Sequence, residues 1–333
     1  MASMKNNEII EQIKSKLTGN KELDIPYLEQ EIRKYQNENN FDVAMKIQLL
    51  LFNYLPEEEK AKLNDGANNM LKEHKNKYNE AIEYLNFGEL DRARNILIEL
   101  FNAYLRVSKI MDSCFFDFSE PIEHFIYFGS FKELKKANIK RVPESVVHYA
   151  YQIASIYLEQ GNNKQAIEYL EKALVFNPVC EYVLQELVER YLSIQDFEKA
   201  FKYIKCCLKN AYTKKQLAYG YKKLGQYFRS KSIYDKAIAS FAVSNLYEDD
   251  LDNKIAIREI TSVAGQIKFS SAEQLISLFK EEDINYGPSK HVIQTFANFM
   301  DYAKASNDKK TLNYVGKIAY ELTDEKYYQD LMK

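Results

Sequence analysis

Apolar residues recur along this chain at intervals of three and four, the period of a helix with one buried face, and short polar turns break the runs. Ile9, Ile10, Ile13 and Leu17 mark a first short helix over 5–17, stopped at Thr18-Gly19-Asn20. Leu28, Ile32 and Tyr35 share the next helix face. After a polar turn at 37–40, Phe41, Ala44, Ile47 and Leu51 line a second helix, and Pro56 closes the pair. Three glutamates after Pro56 suit a helix start, and the helix they open runs to Leu85. Ala81 and Tyr84, a turn at Gly88, then Ala93, Leu97 and Leu100 form another such pair. From 105 to 146 the rhythm breaks. Six phenylalanines fall between Phe115 and Phe131, and Ser119-Glu120-Pro121 and Arg141-Val142-Pro143 are turn or helix-start signals, which predicts one or two short helices around an aromatic plug.

The regular pattern then returns at its strongest. Ile153, Ala154, Tyr157, Ala166, Leu170 and Ala173 recur 34 residues later as Leu187, Val188, Tyr191, Ala200, Ile204 and Cys207. Each unit is an amphipathic helix, a polar turn and a second amphipathic helix. After a slip of three residues, Tyr221, Leu224, Gly225, Phe228, Ala237 and Phe241 take the same positions. Beyond Glu248-Asp249-Asp250 the pattern fades. Two helices are still expected over 251–281, with Ala272 and Ile276 in place, one more pair over 288–305 and 308–322, and a terminal cap over 325–332. Three regions follow: a degenerate helical N-terminal region, 1–146, with an irregular aromatic segment at 110–146; three clear units, 147–250; and degenerate pairs with a cap, 251–333.

The three clear units resemble the tetratricopeptide repeat, whose pattern is W-x2-L-G-x2-Y, then A-x3-F, then P. The best copy reads Ala150-x2-Ile153-Ala154-x2-Tyr157, then Ala166-x3-Leu170, then Pro178. The next reads Leu184-x2-Leu187-Val188-x2-Tyr191, then Ala200-x3-Ile204. The third reads Tyr221-x2-Leu224-Gly225-x2-Phe228, then Ala237-x3-Phe241. The whole is also similar to bacterial repeat proteins of this length. The resemblance implies an all-α, right-handed superhelical solenoid of antiparallel helix pairs, with about 14–17 helices.

Composition changes this picture little. With 10 Gly and 6 Pro in 333 residues, few turns and mostly helix are expected. A net charge of −2 gives no global electrostatic reason to expect nucleic acid, and no apolar run reaches the roughly 18 residues of a membrane helix. The 26 tyrosines with no tryptophan fit a biased genome composition. Cys114, Cys180, Cys206 and Cys207 form no CxxC pair and have no histidine at metal-ligand spacing, so no metal site is expected and reduced thiols in a cytoplasmic protein are. The N-terminus carries no apolar signal segment.

Candidate chemistry follows from the repeat. The first helix of each pair lines the inner, concave face of such a solenoid, the usual ligand groove. Projection puts His148, Tyr151, Gln152, Ser155 and Glu159 there from the first clear unit. Tyr182, Gln185, Glu186 and Glu189 come from the second, and Tyr219, Lys222, Lys223 and Gln226 from the third. Tyrosines give contact area at low entropic cost and suit peptide binding. Repeat domains that grip a chaperone's C-terminal carboxylate use Lys and Asn on these helices; only Lys222 and Lys223 are basic here, which argues against that clamp. Lys199, Lys202, Lys205, Lys209, Lys214 and Lys215, interleaved with Tyr203 and Tyr212, read as a solvated face. Glu168 and Glu171 read as solvent-face residues, and His124 as a packed residue. No phosphate loop, GxSxG or HExxH occurs. The expectation is a non-enzymatic scaffold without cofactor that binds a peptide or protein in its groove and could form a homodimer. The alternative is a peptide-sensing regulator of the bacterial pheromone-receptor type. That type commonly carries an N-terminal helix-turn-helix, whose compact pattern the first 65 residues do not show.

Overall fold

One turn closes six helix pairs. In the computed structural model, the backbone N–H groups of Asn40, Glu89, Asn162, Asp196, Ile233 and Asp308 donate to the carbonyl five residues earlier, on Tyr35, Tyr84, Tyr157, Tyr191, Phe228 and Ala303, at 2.7–2.9 Å. In five of the six this bond spans a residue in the left-handed region: Gly88, Gly161, Gln195, Ser232 and Asn307 all have φ between 55° and 74°. It satisfies a carbonyl left open at the end of the first helix. In four pairs the next residue also caps the second helix, because the side chains of Asn40, Asn162, Asp196 and Asp308 accept an N–H three residues on.

The structure describes residues 2–38, 40–110, 114–129, 133, 139–267, 269 and 271–332, with seventeen helices and two short strands among them. They fall into two compact units divided between 115 and 116, inside the aromatic segment. In the first unit, α1 (Ala2–Ser15) packs on the pair α2 (Lys21–Asn37) and α3 (Phe41–Phe52), and α4 (Glu57–Asn86) pairs with α5 (Leu90–Ile110). Ile10, Ile13, Leu28, Ile32, Tyr35, Val43, Ala44 and Ile47 form one core cluster. Phe41 departs from expectation. It sits at the first position of α3, 62% exposed, and Val43 takes its place in the core. Buried Asp24 joins α2 to the preceding turn, where its carboxylate accepts the N–H groups of Thr18 and Gly19 at 2.9 and 2.8 Å.

The second unit holds the three clear pairs: α7 (Val146–Glu159) with α8 (Asn163–Ala173), α9 (Glu181–Ser193) with α10 (Phe197–Asn210), and α11 (Lys214–Ser230) with α12 (Tyr234–Tyr247). Adjacent pairs stack through α8 on α9, α10 on α11, and α13 (Leu251–Ala264) on α12. Of the eighteen recurring positions, all are buried except Tyr157 and Cys207, which are half-buried. α14 (Ala272–Lys280) also packs on α12.

The last pair, α15 (Lys290–Ala305) and α16 (Lys309–Thr323), does not lengthen this stack. α15 returns to pack on α10 and on α6 (Pro121–Phe128), the helix of the aromatic segment, while α17 (Lys326–Leu331) caps α16. Phe125 and Phe299 stack with ring centroids 3.9 Å apart, and Asn298 Nδ2 donates to the Gly129 carbonyl at 2.8 Å. The other side of this segment holds the first clear pair. Asp117 N–H donates to the Phe176 carbonyl, and the Asp117 carboxylate accepts Val147 N–H at 2.8 Å. Asn177 Nδ2 donates to Glu123 at 3.0 Å. Phe116 and Phe118 are 5% and 4% exposed, so this part of the phenylalanine run is core; Phe131 lies outside the described residues. The sequence pattern did not anticipate strands β1 (Cys114–Phe116) and β2 (Ile139–Arg141), which form a two-stranded sheet.

Candidate functional site

Helical spacing puts the polar residues of α7, α9 and α11 on one face, and contacts run from helix to helix across it. Tyr151 on α7 meets Tyr182 on α9 edge to face, with centroids 5.0 Å apart. Tyr219 on α11 donates to the Gln185 carbonyl of α9 at 3.0 Å and lies 3.2 Å from Glu189. Lys223 pairs with Glu189 at 2.6 Å and also reaches Gln226 at 3.1 Å. Lys222 turns the other way, to Asp250 at 2.6 Å and Asp252 at 3.3 Å. Both lysines are thus already neutralised. Glu186 pairs with Arg190, and Ser155 donates to the Tyr151 carbonyl of its own helix. His148, Ser155 and Glu159 are exposed; the other ten candidates are half-buried. Gln152 Oε1 is a buried acceptor without a hydrogen-bond partner among the described residues. Burial pushes the hydroxyls of Tyr151, Tyr182 and Tyr219 above the usual tyrosine value, with Glu189 adding to the effect at Tyr219, so all three stay neutral and able to donate at ordinary pH.

A cleft of about 530 Å³ opens on this face beside Gln185, Tyr219 and Lys222. The stretch from Glu248 to Leu251 also lines it, as do Glu181, Ala218 and Ser244. The pattern along the sequence shows Glu248-Asp249-Asp250 only as the place where periodicity fades. A charge run placed opposite the unpaired-looking Lys222 was the available signal. Glu181, which accepts from both Gln185 and Gln216, gave none, because it sits at the first position of α9.

The other polar positions divide differently from the sequence reading. Glu168 pairs with Lys172 on the surface, as its spacing suggests. Glu171 is exposed, as its spacing suggests, and its Oε1 also accepts the hydroxyls of Tyr191 and Tyr203 at 2.8 and 3.0 Å and so ties α8 to α9 and α10. Of the six clustered lysines, Lys199 and Lys214 pair with Asp196 and Asp324 and Lys215 lines the cleft, whereas Lys202, Lys205 and Lys209 border a separate cavity. His124 is packed against Phe118, with centroids 4.3 Å apart, and burial holds its imidazole below the usual value. Burial pushes the Cys180 thiol up to about 12. No group of three or more potential metal ligands occurs among the described residues, and no helix among them is long and apolar enough to cross a membrane.

Residues 147–180, which make up α7, α8 and the turn to α9, match the model of the tetratricopeptide repeat family. These residues carry a tetratricopeptide repeat. The close-approach positions of the repeats have a direct geometric reading. A Cβ built on Gly225 would stand 2.7 Å from the Phe241 ring, and one on Gly220 would stand 2.6 Å from Leu208. α11 therefore packs against α12 and α10 at distances that only glycine allows. No curated protein matches the chain. Among solved structures, similar ones include the C-terminal part of a TPR repeat-containing protein from Cytophaga hutchinsonii (16% identity, 91% of this chain and 99% of that one, TM-score 0.39). Another is pilF of Pseudomonas aeruginosa (14% identity, 77% and 95%, TM-score 0.37). A third is a tetratricopeptide repeat protein from Parabacteroides merdae (11% identity, 78% and 98%, TM-score 0.32). Likenesses at these scores carry no functional inference.

Proposed function

We propose that this protein is a non-enzymatic interaction scaffold that binds a peptide or an extended protein segment along the first-helix face of α7, α9 and α11. The observation that carries the reading is the cleft beside Gln185, Tyr219 and Lys222 at the end of a continuous row of tyrosine, glutamine and glutamate. Rigid tyrosines supply contact area, Gln152 offers an unmet acceptor for a backbone N–H, and exposed His148, Ser155 and Glu159 leave one end of the row open to solvent. Because Tyr219 also ties α11 to α9, its removal would perturb the stack as well as the surface. The exposed residues make the cleaner test. Partners captured by the wild-type chain and by a His148→Glu/Ser155→Arg/Glu159→Arg variant are compared by quantitative mass spectrometry, with thermal melting by circular dichroism alongside. The reading predicts loss of the specific partner with an unchanged melt. Equal capture by both proteins contradicts it. Lys164→Glu on α8 serves as the control that leaves capture intact.

A further inference from the structure

Because α15 folds back against α10, a second cavity of about 540 Å³ forms between α10 and the 283–291 stretch, away from the first-helix face. This volume falls in the range of about 300–1,000 Å³ typical of small-molecule sites. One side is basic. Lys202, Lys205 and Lys209 line the cavity from α10, at positions i, i+3 and i+7 of one helix face. None of the three ammonium groups is ion-paired with a carboxylate among the described residues. The lining also has an apolar part, formed by half-buried Phe201 and by Leu208 and Ile284, which are 5% and 8% exposed. The only lining carboxylates, Glu198 and Asp283, are exposed.

The wall formed by 285–291 is fixed. The buried Tyr221 hydroxyl donates to the Asn285 carbonyl and accepts Gly287 N–H at 2.8 Å. Ser289 Oγ donates to the Lys209 carbonyl at 2.6 Å, and His291 Nε2 lies 2.7 Å from the Ile126 carbonyl. Lys205 reaches the Glu282 carbonyl at 3.5 Å. The 285–291 side is therefore anchored by hydrogen bonds to α11, α10 and α6, and the lining combines three cations with apolar carbon.

We propose that this cavity binds a small amphiphilic anion, a negatively charged head group on an apolar body. The lysines take the head group and Phe201, Leu208 and Ile284 take the body. A solvated basic face has no use for a pinned neighbouring wall or an apolar part to its lining. The Cys206 thiol lies in the same cavity, half-buried. Burial raises it while Lys202, Lys209 and Lys205 pull it down, so it reports on the field there.

The test uses the full chain and the fluorescent anion 8-anilinonaphthalene-1-sulfonate. Saturable binding is expected, weakened about tenfold or more in K202Q/K205Q/K209Q and largely kept in K202R/K205R/K209R. Octanoate and phenyl phosphate should displace the dye. Octanol and inorganic phosphate, each with half of the chemistry, should compete about tenfold less well. Bound dye should also slow carbamidomethylation of Cys206 by iodoacetamide, read by mass spectrometry on the wild-type protein, which locates the site even if a variant misfolds. The proposal is overturned if the glutamine variant binds the dye as well as wild type, if octanol competes as well as octanoate, or if Cys206 is not protected.

Discussion

At Gly225 an added methyl group would collide with a ring that has no room to retreat, because Phe241 is itself 2% exposed. Alanine is the better helix former by about 1 kcal/mol, yet overpacking of this kind costs about 1–3 kcal/mol. Gly225→Ala should therefore lower the unfolding free energy measured in urea by up to about 2 kcal/mol; an increased value would mean that the two helices are not held at this distance. Glu123 makes a different kind of point. Burial raises its carboxyl above the usual range, although Ser119 N–H, Glu120 N–H and Asn177 Nδ2 all donate to it. A carboxyl raised on folding contributes stability below its unfolded value of about 4.3, and that contribution is lost as pH rises through the folded value. Glu123→Gln keeps an acceptor but does not titrate, so its stability relative to wild type should rise between pH 4 and pH 7. A fall over that range would place Glu123 among carboxylates stabilised in their charged form. The repeat pattern made Gly225 legible as a small position. Glu123, Asn177 and Glu171 were not legible, because their partners lie in other elements and leave no periodic mark.

The αL turn recurs in five pairs, but its residue varies. Gly88 and Gly161 adopt φ of 74° without steric cost, while Gln195 and Ser232 take the same conformation at 60° and 59°. A left-handed L-residue costs about 1–2 kcal/mol, partly offset by the extra backbone freedom that glycine gives the unfolded chain. Gln195→Gly should thus stabilise the protein by about 0.5–1 kcal/mol in equilibrium unfolding, whereas Gly161→Gln should destabilise it by a similar amount. No gain in the first variant would argue that the Gln195 side chain has a job that its exposure hides. Helices were the most legible feature of the sequence, since a buried stripe must recur every three to four residues. The two strands were not, being three residues long and without alternation. Phe41 was misplaced because it begins a helix, where a first-turn side chain need not join the stripe that Val43, Ala44 and Ile47 continue.

The second unit is more than a row of pairs. Residues 116–129 bond to the first clear pair on one side and to the last pair on the other, so α15 returns to α10 instead of extending the stack. Periodicity could not announce this return, because it reports which face of a helix is buried and not what buries it. The aromatic run was visible as an interruption; its role as the link between distant pairs depends on contacts such as Phe125 on Phe299 that are remote in sequence. The return leaves two surfaces of different character, the tyrosine-rich first-helix face and the basic cavity on α10. Hydrogen–deuterium exchange of the chain with and without its captured protein partner distinguishes them most directly. The account predicts that the partner slows exchange in peptides covering 148–159, 182–189 and 219–226. Protection confined to the second helices, 163–173, 197–210 and 234–247, would contradict it.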